Sequence, residues 1–241
     1  MSVITVIGRG HSGTRAISQT LYASGVFMGN MINNSGDKLP QDSLYKACRV
    51  FGKYVHWRGG LSWDFETLHS MEMDHDFTRY LSDYLSDVIE SKSIQKGWKI
   101  PETTLILPWL VRLLPEVKYI YIVRDPRDTI IGSNHPTDEL NNFCVTYPET
   151  KDSALRRAIS WKYQYDIVSA TPKPENWIKI RYEDFVLKQD HVLHELEEFL
   201  GIPLAKIIVK KDSIGKWKQR PDLPDFDFLQ PALSENGYQV L

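Results

Sequence analysis

Eight residues near the start of the chain, Gly8-Arg9-Gly10-His11-Ser12-Gly13-Thr14-Arg15, have the composition of an anion cradle. They follow a β-branched run, Val3-Ile4-Thr5-Val6-Ile7, and precede a segment with helical spacing of apolar residues. At such a junction glycines let the backbone approach a phosphate, N–H groups point inward, and the helix N-terminus adds partial positive charge. Gly8, Gly10 and Gly13 satisfy the dinucleotide pattern G-x-G-x-x-G, which also requires an acid about 20 residues on, at the end of a second strand. Met28-Gly29-Asn30 occupies that region, and the next acid, Asp37, lies in a polar stretch. Gly8 and Gly13 have the outer spacing of a Walker A loop, but Thr14-Arg15 stands where Lys-Ser/Thr is needed, which argues against ATP or GTP hydrolysis. A tight turn with no ligand is the plain alternative.

Three further segments carry chemistry. Tyr119-Ile120-Tyr121-Ile122-Val123-Arg124-Asp125-Pro126-Arg127-Asp128 is an apolar strand running into charge. Arg124 can grip a phosphate through two N–H groups, and Pro126 suits the first position of a helix whose N-terminus would assist. Asp125 could mimic a metal-binding acid, but the flanking arginines suit an anion better. The alternative is that Arg124 and Arg127 pair with Asp125 and Asp128 as surface salt bridges. Ile180-Arg181-Tyr182-Glu183-Asp184-Phe185 follows a third strand; core packing for Tyr182 and helix capping for Glu183-Asp184 compete with a ligand role. Ser213-Ile214-Gly215-Lys216-Trp217-Lys218-Gln219-Arg220 is a basic loop able to close over an anion, or a solvated charge run.

The elements that would position these residues alternate. Strands are expected at 3–7, 97–100, 117–123 and 177–180, and helices at 14–24, 41–56, 77–89, 104–114, 154–169 and 191–200, with a very short strand and then a loop within 26–40. Alternation of this kind implies an α/β fold with a mainly parallel sheet flanked by helices, whose ligands bind beyond the carboxyl ends of the strands. The four charged segments fall at such ends.

Composition narrows the function classes. With 241 residues and 42% hydrophobic content the chain can bury a large core, and we expect a single domain over 1–241. A net charge of −2 with mixed signs argues against a nucleic-acid binder, so any anion site is local. Cys48 and Cys144 are far apart and form no metal pair or disulfide framework, which points to a reducing compartment. The apolar N-terminus reads as a buried strand rather than a signal peptide, and no run approaches the ~20 residues of a membrane span. A cytoplasmic protein without membrane contact is the expectation.

Taken together, the four segments resemble the PAPS-dependent sulfotransferase family, over roughly residues 3–220. His11-Ser12-Gly13-Thr14-Arg15 is similar to that family's loop of a basic residue followed by Ser-Gly-Thr, with histidine where lysine is common. Tyr119–Asp128 resembles its 3′-phosphate segment. The family's serine eight residues after the arginine is displaced here, since Gly132 takes that place and Ser133 follows. Arg181-Tyr182-Glu183-Asp184-Phe185, with Phe199-Leu200-Gly201 downstream, is similar to its adenine-side segment, and Gly215-Lys216-Trp217-Lys218 to its late Gly-x-Trp-(Lys/Arg) loop.

The resemblance implies a P-loop NTPase-like fold and PAPS as co-substrate, with PAP as product and no metal. It also implies transfer to a hydroxyl or amine of a small-molecule or glycan-type acceptor. The residues implied to bind the co-substrate are Arg9, Gly10, His11, Ser12, Gly13, Thr14, Arg15, Arg124, Ser133, Tyr182, Lys216, Trp217 and Lys218. Arg9 and Arg15 would supply permanent charge, and Lys99 would bind the transferring group. The general base is expected at Glu102 or Asp37, with His56 a third candidate; His11 would serve the leaving phosphate. Residues 30–95 are least like the family and are expected to recognise the acceptor, with Tyr45, Trp57 and Trp63 as aromatic wall candidates. A P-loop-type kinase and a non-catalytic adenosine 3′,5′-bisphosphate-binding module are the alternatives.

Overall fold

The computed structural model describes residues 2–239. Its centre is a four-stranded, all-parallel sheet in the order β6-β1-β7-β8, formed by β1 (Ser2–Ile7), β6 (Gln95–Lys99), β7 (Lys118–Val123) and β8 (Trp177–Arg181). Side chains alternate across it. Ile4, Val6, Ile120, Ile122 and Ile180 face one core, completed by Ile17, Leu21, Phe185 and Leu196. Ile7, Trp98, Tyr119, Tyr121 and Val123 face a larger core on the other side. Both faces are covered, so the strands read as continuous apolar runs rather than alternating ones.

Ten residues of α1 (Thr14–Ala23) return the chain from β1, and α7 (Tyr182–Leu187) with α8 (Gln189–Leu200) pack on the same face as α1. The opposite face carries α2 (Asp42–Gly52), α3 (His75–Glu90), α4 (Leu107–Leu113) and α6 (Ser153–Ala170). The five-residue α5 (Pro126–Ile130) follows β7, and α9 (Gln230–Glu235) lies near the carboxyl end. No helix of the described residues is long and apolar enough to cross a membrane.

Several expected boundaries move. The helix expected to reach residue 56 ends at Gly52, which is pressed against Phe143; a Cβ there would lie 1.9 Å from the Phe143 carbonyl oxygen. Residues beyond it form an antiparallel hairpin of β4 (His56–Gly59) and β5 (Ser62–Asp64). The stretch expected as loop holds a second small ladder, β2 (Met31–Ile32) with β3 (Lys38–Leu39). The 104–114 helix opens as a 3-10 turn over Pro101–Ile106 before α4 begins, and α7, which starts immediately after β8, was not expected.

Strand order places β1 between strands that come later in the chain on both sides. Its carboxyl end is therefore a topological switch point, the usual place for a crevice in such sheets. The loop 8–15 begins there.

Candidate active site

The loop leaves β1 with the Gly8 amide donating to Thr104 Oγ1 at 2.9 Å, which ties it to the neighbouring crossover. His11 takes a left-handed conformation (φ 68°), and Gly13 a more extreme one (φ 97°). Both close contacts of the loop require glycine. A Cβ on Gly10 would lie 2.3 Å from the His135 ring, and one on Gly13 would lie 2.1 Å from the Tyr182 ring. Gly13 caps α1 with no side-chain hydrogen bond, and while the Ala16 amide donates to the Gly13 carbonyl at 2.9 Å, the amides of Thr14 and Arg15 are left for an anion.

Beside this loop lies a cavity of about 300 Å³ whose walls include Gly10, His11, Gly13, Thr14 and Arg15. The far walls are Ser35 and Asp37 from the β2–β3 hairpin, Lys99 and Pro101 after β6, Arg124 after β7, His135, and Tyr182 after β8. Residues from the ends of all four parallel strands thus meet in one cavity. Partial burial and the charge of Arg9 lower the His11 pKa below the ordinary imidazole value, with Asp138 opposing. A lowered pKa favours the neutral ring, which offers a hydrogen bond rather than a charge.

Arg124 is the junction between distant segments. Its Nη1 donates to the His11 carbonyl at 2.8 Å, its Nη2 donates to the Ser213 carbonyl, and its guanidinium lies 4.7 Å from the centre of the Tyr182 ring. Ser213 Oγ donates to the Lys210 carbonyl at 2.6 Å, so it accepts from the Tyr182 hydroxyl at 2.8 Å. The carboxylate of Asp128 accepts from the amides of Gly215 (2.7 Å) and Trp217 (3.0 Å). The late basic loop is therefore held against the ends of β7 and β8. Lys216 and Lys218 are exposed on it, while Trp217 stacks on the Arg127 guanidinium at 3.7 Å, outside the walls of the main cavity.

A buried ion pair forms the third side. Lys99 Nζ donates to Asp37 Oδ1 at 2.5 Å and to the Ser35 carbonyl at 2.6 Å. Burial lowers the Lys99 pKa and Asp37 opposes the shift. Asp37 Oδ2 accepts from Asn33 Nδ2 at 3.0 Å. Behind Pro101 sits Glu102, only 2% exposed, with Oε1 accepting from the Tyr45 hydroxyl at 2.8 Å and Oε2 buried without a partner among the described residues. Burial raises its pKa to about 7.

A model described as the sulfotransferase family matches residues 4–206. The chain belongs to the sulfotransferase family. No curated protein sequence matches it. Among solved structures, the sulfotransferase domain from the curacin biosynthetic pathway is similar in fold, with a TM-score of 0.62 at 15% identity over 100% of this chain and 99% of that one. A mouse sulfotransferase, SULT7A1 complexed with PAP, gives a TM-score of 0.44 at 15% identity, over 91% of this chain and 63% of that one.

In this sulfotransferase several expected site residues lie elsewhere. Arg9 is 4% exposed and turns under the loop, where Nη2 pairs with Asp138 at 2.5 Å and Nη1 donates to the Gly10 carbonyl at 2.9 Å. It is not on the cavity wall; an arginine beside a buried carboxylate is anchored there by charge. Ser12 is also buried away from the cavity, its amide closing a turn onto the Arg9 carbonyl at 3.0 Å. Ser133 is exposed and absent from the walls. Glu102 lies behind the wall rather than on it. His56 is exposed in β4 and Trp57 is half-exposed beside it, while Trp63 is buried with Nε1 donating to the Thr146 carbonyl. The N-terminus of α5 is not open to an anion, because Asp125 caps it by accepting from the Arg127 amide and binds the Arg127 guanidinium through both oxygens. Both pairings of the salt-bridge alternative form, Arg127 with Asp125 at 2.8 Å and Arg124 with Asp128 at 3.7 Å, though neither pair lies open on the surface.

His135, Asp138, Asp128 and Ser35 were not foreseen as parts of the site. The signal for the first two was local: His135-Pro136-Thr137-Asp138 forms a reciprocal cap with proline at its first position. That signature predicts a turn, not its docking on Gly10.

Proposed function

We propose that this sulfotransferase uses PAPS as its donor and releases PAP. The sulfuryl group passes by in-line displacement to a hydroxyl or amine of a small-molecule or glycan-type acceptor. One observation carries the reading: the glycine-bounded loop at α1 and the Arg124 guanidinium open on the same cavity and touch each other at 2.8 Å. Two anionic ends of one nucleotide call for two such elements side by side.

The residues present fit that molecule. Gly10 and Gly13 keep the backbone bare, the amides of Thr14 and Arg15 begin an uncapped helix, and Arg124 Nε is buried without a partner among the described residues. His11, Thr14 and Arg15 would hold the 5′ end, and Arg124 the 3′-phosphate with Tyr182 beside it. PAPS supplies an activated sulfuryl group on a phosphate leaving group. The chain supplies position and charge, which is most of what such transfers need. Lys99 holds its ammonium at the wall where negative charge grows. Asp37 is the one carboxylate on that wall among the described residues, and it is placed to receive the acceptor's proton. Glu102, with a pKa near neutrality, stands behind the pair as a proton reserve.

Ser35 and Asp37 come from the 30–95 stretch, which supports acceptor recognition by that region. The two unpaired cysteines support a cytoplasmic location. Thermal shift with PAP, ATP and NAD tests the donor reading, and transfer from labelled PAPS to a panel of hydroxyl and amine acceptors tests the activity. Stabilisation by PAP alone and label in an acceptor are expected. Stabilisation by ATP or NAD with none by PAP overturns the reading.

A further inference from the structure

His135 is the one imidazole of the cavity wall whose protonation pattern the backbone dictates. The Thr137 amide donates to its Nδ1 at 3.3 Å, and Thr137 Oγ1 lies 2.9 Å from the same nitrogen. A backbone amide can only donate, so Nδ1 carries a lone pair and the ring's proton sits on Nε2. The ring is fixed by more than this contact. Its backbone amide donates to Asp138 Oδ2 at 2.8 Å, and Asp138 Oδ1 in turn takes Arg9 Nη2. The inward turn of Arg9 thus braces the carboxylate that braces His135.

The ring packs against the anion loop: a Cβ on Gly10 would lie 2.3 Å from Cδ2, 2.4 Å from Cγ and 2.6 Å from Nε2, so Nε2 sits beside the glycine backbone at the cavity wall. Nε2 has no hydrogen-bond partner among the described residues. His11 lies edge-on with ring centres 5.7 Å apart. The groups around the ring are Arg9 and His11, which oppose a second proton, and Asp138 and Asp37, which favour one; burial is the largest influence and holds the pKa down to about 3.

We infer that His135 is a binding residue whose Nε2–H donates to an oxyanion seated on the Gly10–Arg15 loop, and that the Thr137 cap keeps it a donor and never a base. This assignment rests on the PAPS reading for the identity of the oxyanion, the 5′-phosphate side of the nucleotide. It adds an uncharged donor to the loop beside His11. A locked donor needs no rearrangement when charge develops nearby, which is how preorganised groups lower a barrier.

Two substitutions separate the cap from the donor. His135→Asn keeps an acceptor where Nδ1 stood, so the turn at 135–138 is retained, but it lacks the Nε2 donor. His135→Gln places an amide donor near the Nε2 position. Calorimetric titration with PAP is expected to show about a tenfold loss for Asn and a loss within about threefold for Gln, the scale of one hydrogen bond to a charged group. Nitrogen-15 NMR of the histidine-labelled full chain reads the ring directly, with the His135→Gln spectrum giving the assignment. The expected result is a neutral, Nε2-protonated ring whose resonance moves on PAP addition. A ring protonated at Nδ1, an unmoved resonance at PAP saturation, or wild-type affinity in His135→Asn overturns the inference while leaving the sulfotransferase reading intact. Failure of the wild-type chain to bind PAP overturns both.

Discussion

Arg124 Nη1 donates to the carbonyl oxygen of His11, so the guanidinium at the end of β7 sets the bend of the loop that leaves β1. The same contact makes Arg124 a strut, beside the ligand role proposed for it. Arg124→Ala is expected to weaken PAP binding by about tenfold to a hundredfold, the range for losing hydrogen bonds to a charged group. Arg124→Lys is expected to recover only part, because one ammonium cannot span the His11 and Ser213 carbonyls as the fork does. Calorimetric titration with PAP measures both, and unchanged affinity in Arg124→Ala would remove the 3′-phosphate assignment.

Buried Lys99 and part-exposed Asp37 form one unit at the wall. Asp37→Asn is expected to lower sulfate transfer by roughly a hundredfold, the usual scale for removing a general base, with PAP affinity nearly unchanged. The measurement is single-turnover transfer from labelled PAPS beside a PAP titration. Equal losses in both would mean that Asp37 only shapes the cavity. Lys99→Met is expected to cost stability as well, since it leaves the half-buried Asp37 carboxylate without its cation.

Glu102 gives the fold a pH signature. Its folded pKa of about 7 lies above the unfolded carboxyl value. The folded state therefore holds this proton where the unfolded state has lost it, and stability falls as pH rises through that window. The contribution is fully present below about pH 4 and is lost by about pH 8, amounting to roughly 3 kcal/mol at most. Glu102→Gln keeps an acceptor for Tyr45 and removes the titration. Urea unfolding at pH 5 and pH 8 should show the variant gaining on the wild type as pH rises; parallel curves would refute the assignment.

Gly13→Ala brings a methyl group to 2.1 Å from the Tyr182 ring at a φ that L-residues avoid. A loss of about 1–3 kcal/mol is expected in urea unfolding, typical for strained backbone positions. Gly25→Ala serves as the control, since nothing lies within 4 Å of its added Cβ although φ is also positive. The two losses should differ by the cost of displacing Tyr182.

Much of this architecture was legible because its signals are local. The runs of β1 and β7 are apolar on both faces, and Pro126 marks a helix start. Glycines flank a basic loop at a strand end. What stayed hidden depends on partners far along the chain. The direction of Arg9 is set by Asp138, 129 residues away, and no local pattern distinguishes that inward pairing from a solvent-facing charge. The β4–β5 hairpin escaped notice because β4 is exposed along its whole length and carries no buried alternation. Asp125 could mimic a metal-binding acid in sequence, yet its oxygens are consumed by the cap and by Arg127.

The clasp of Arg124 joins residue 11 to residue 213 through a single side chain, and Asp128 adds the amides of Gly215 and Trp217. During synthesis the loop 8–15 leaves the ribosome first and its closing partner some two hundred residues later. A nascent chain can build β1, α1 and β7 in that interval, but its cavity stays open on one side. Contacts of such long sequence separation form slowly and late. Ligand competence in this enzyme is therefore a property of the finished chain, acquired in the last step of folding rather than the first.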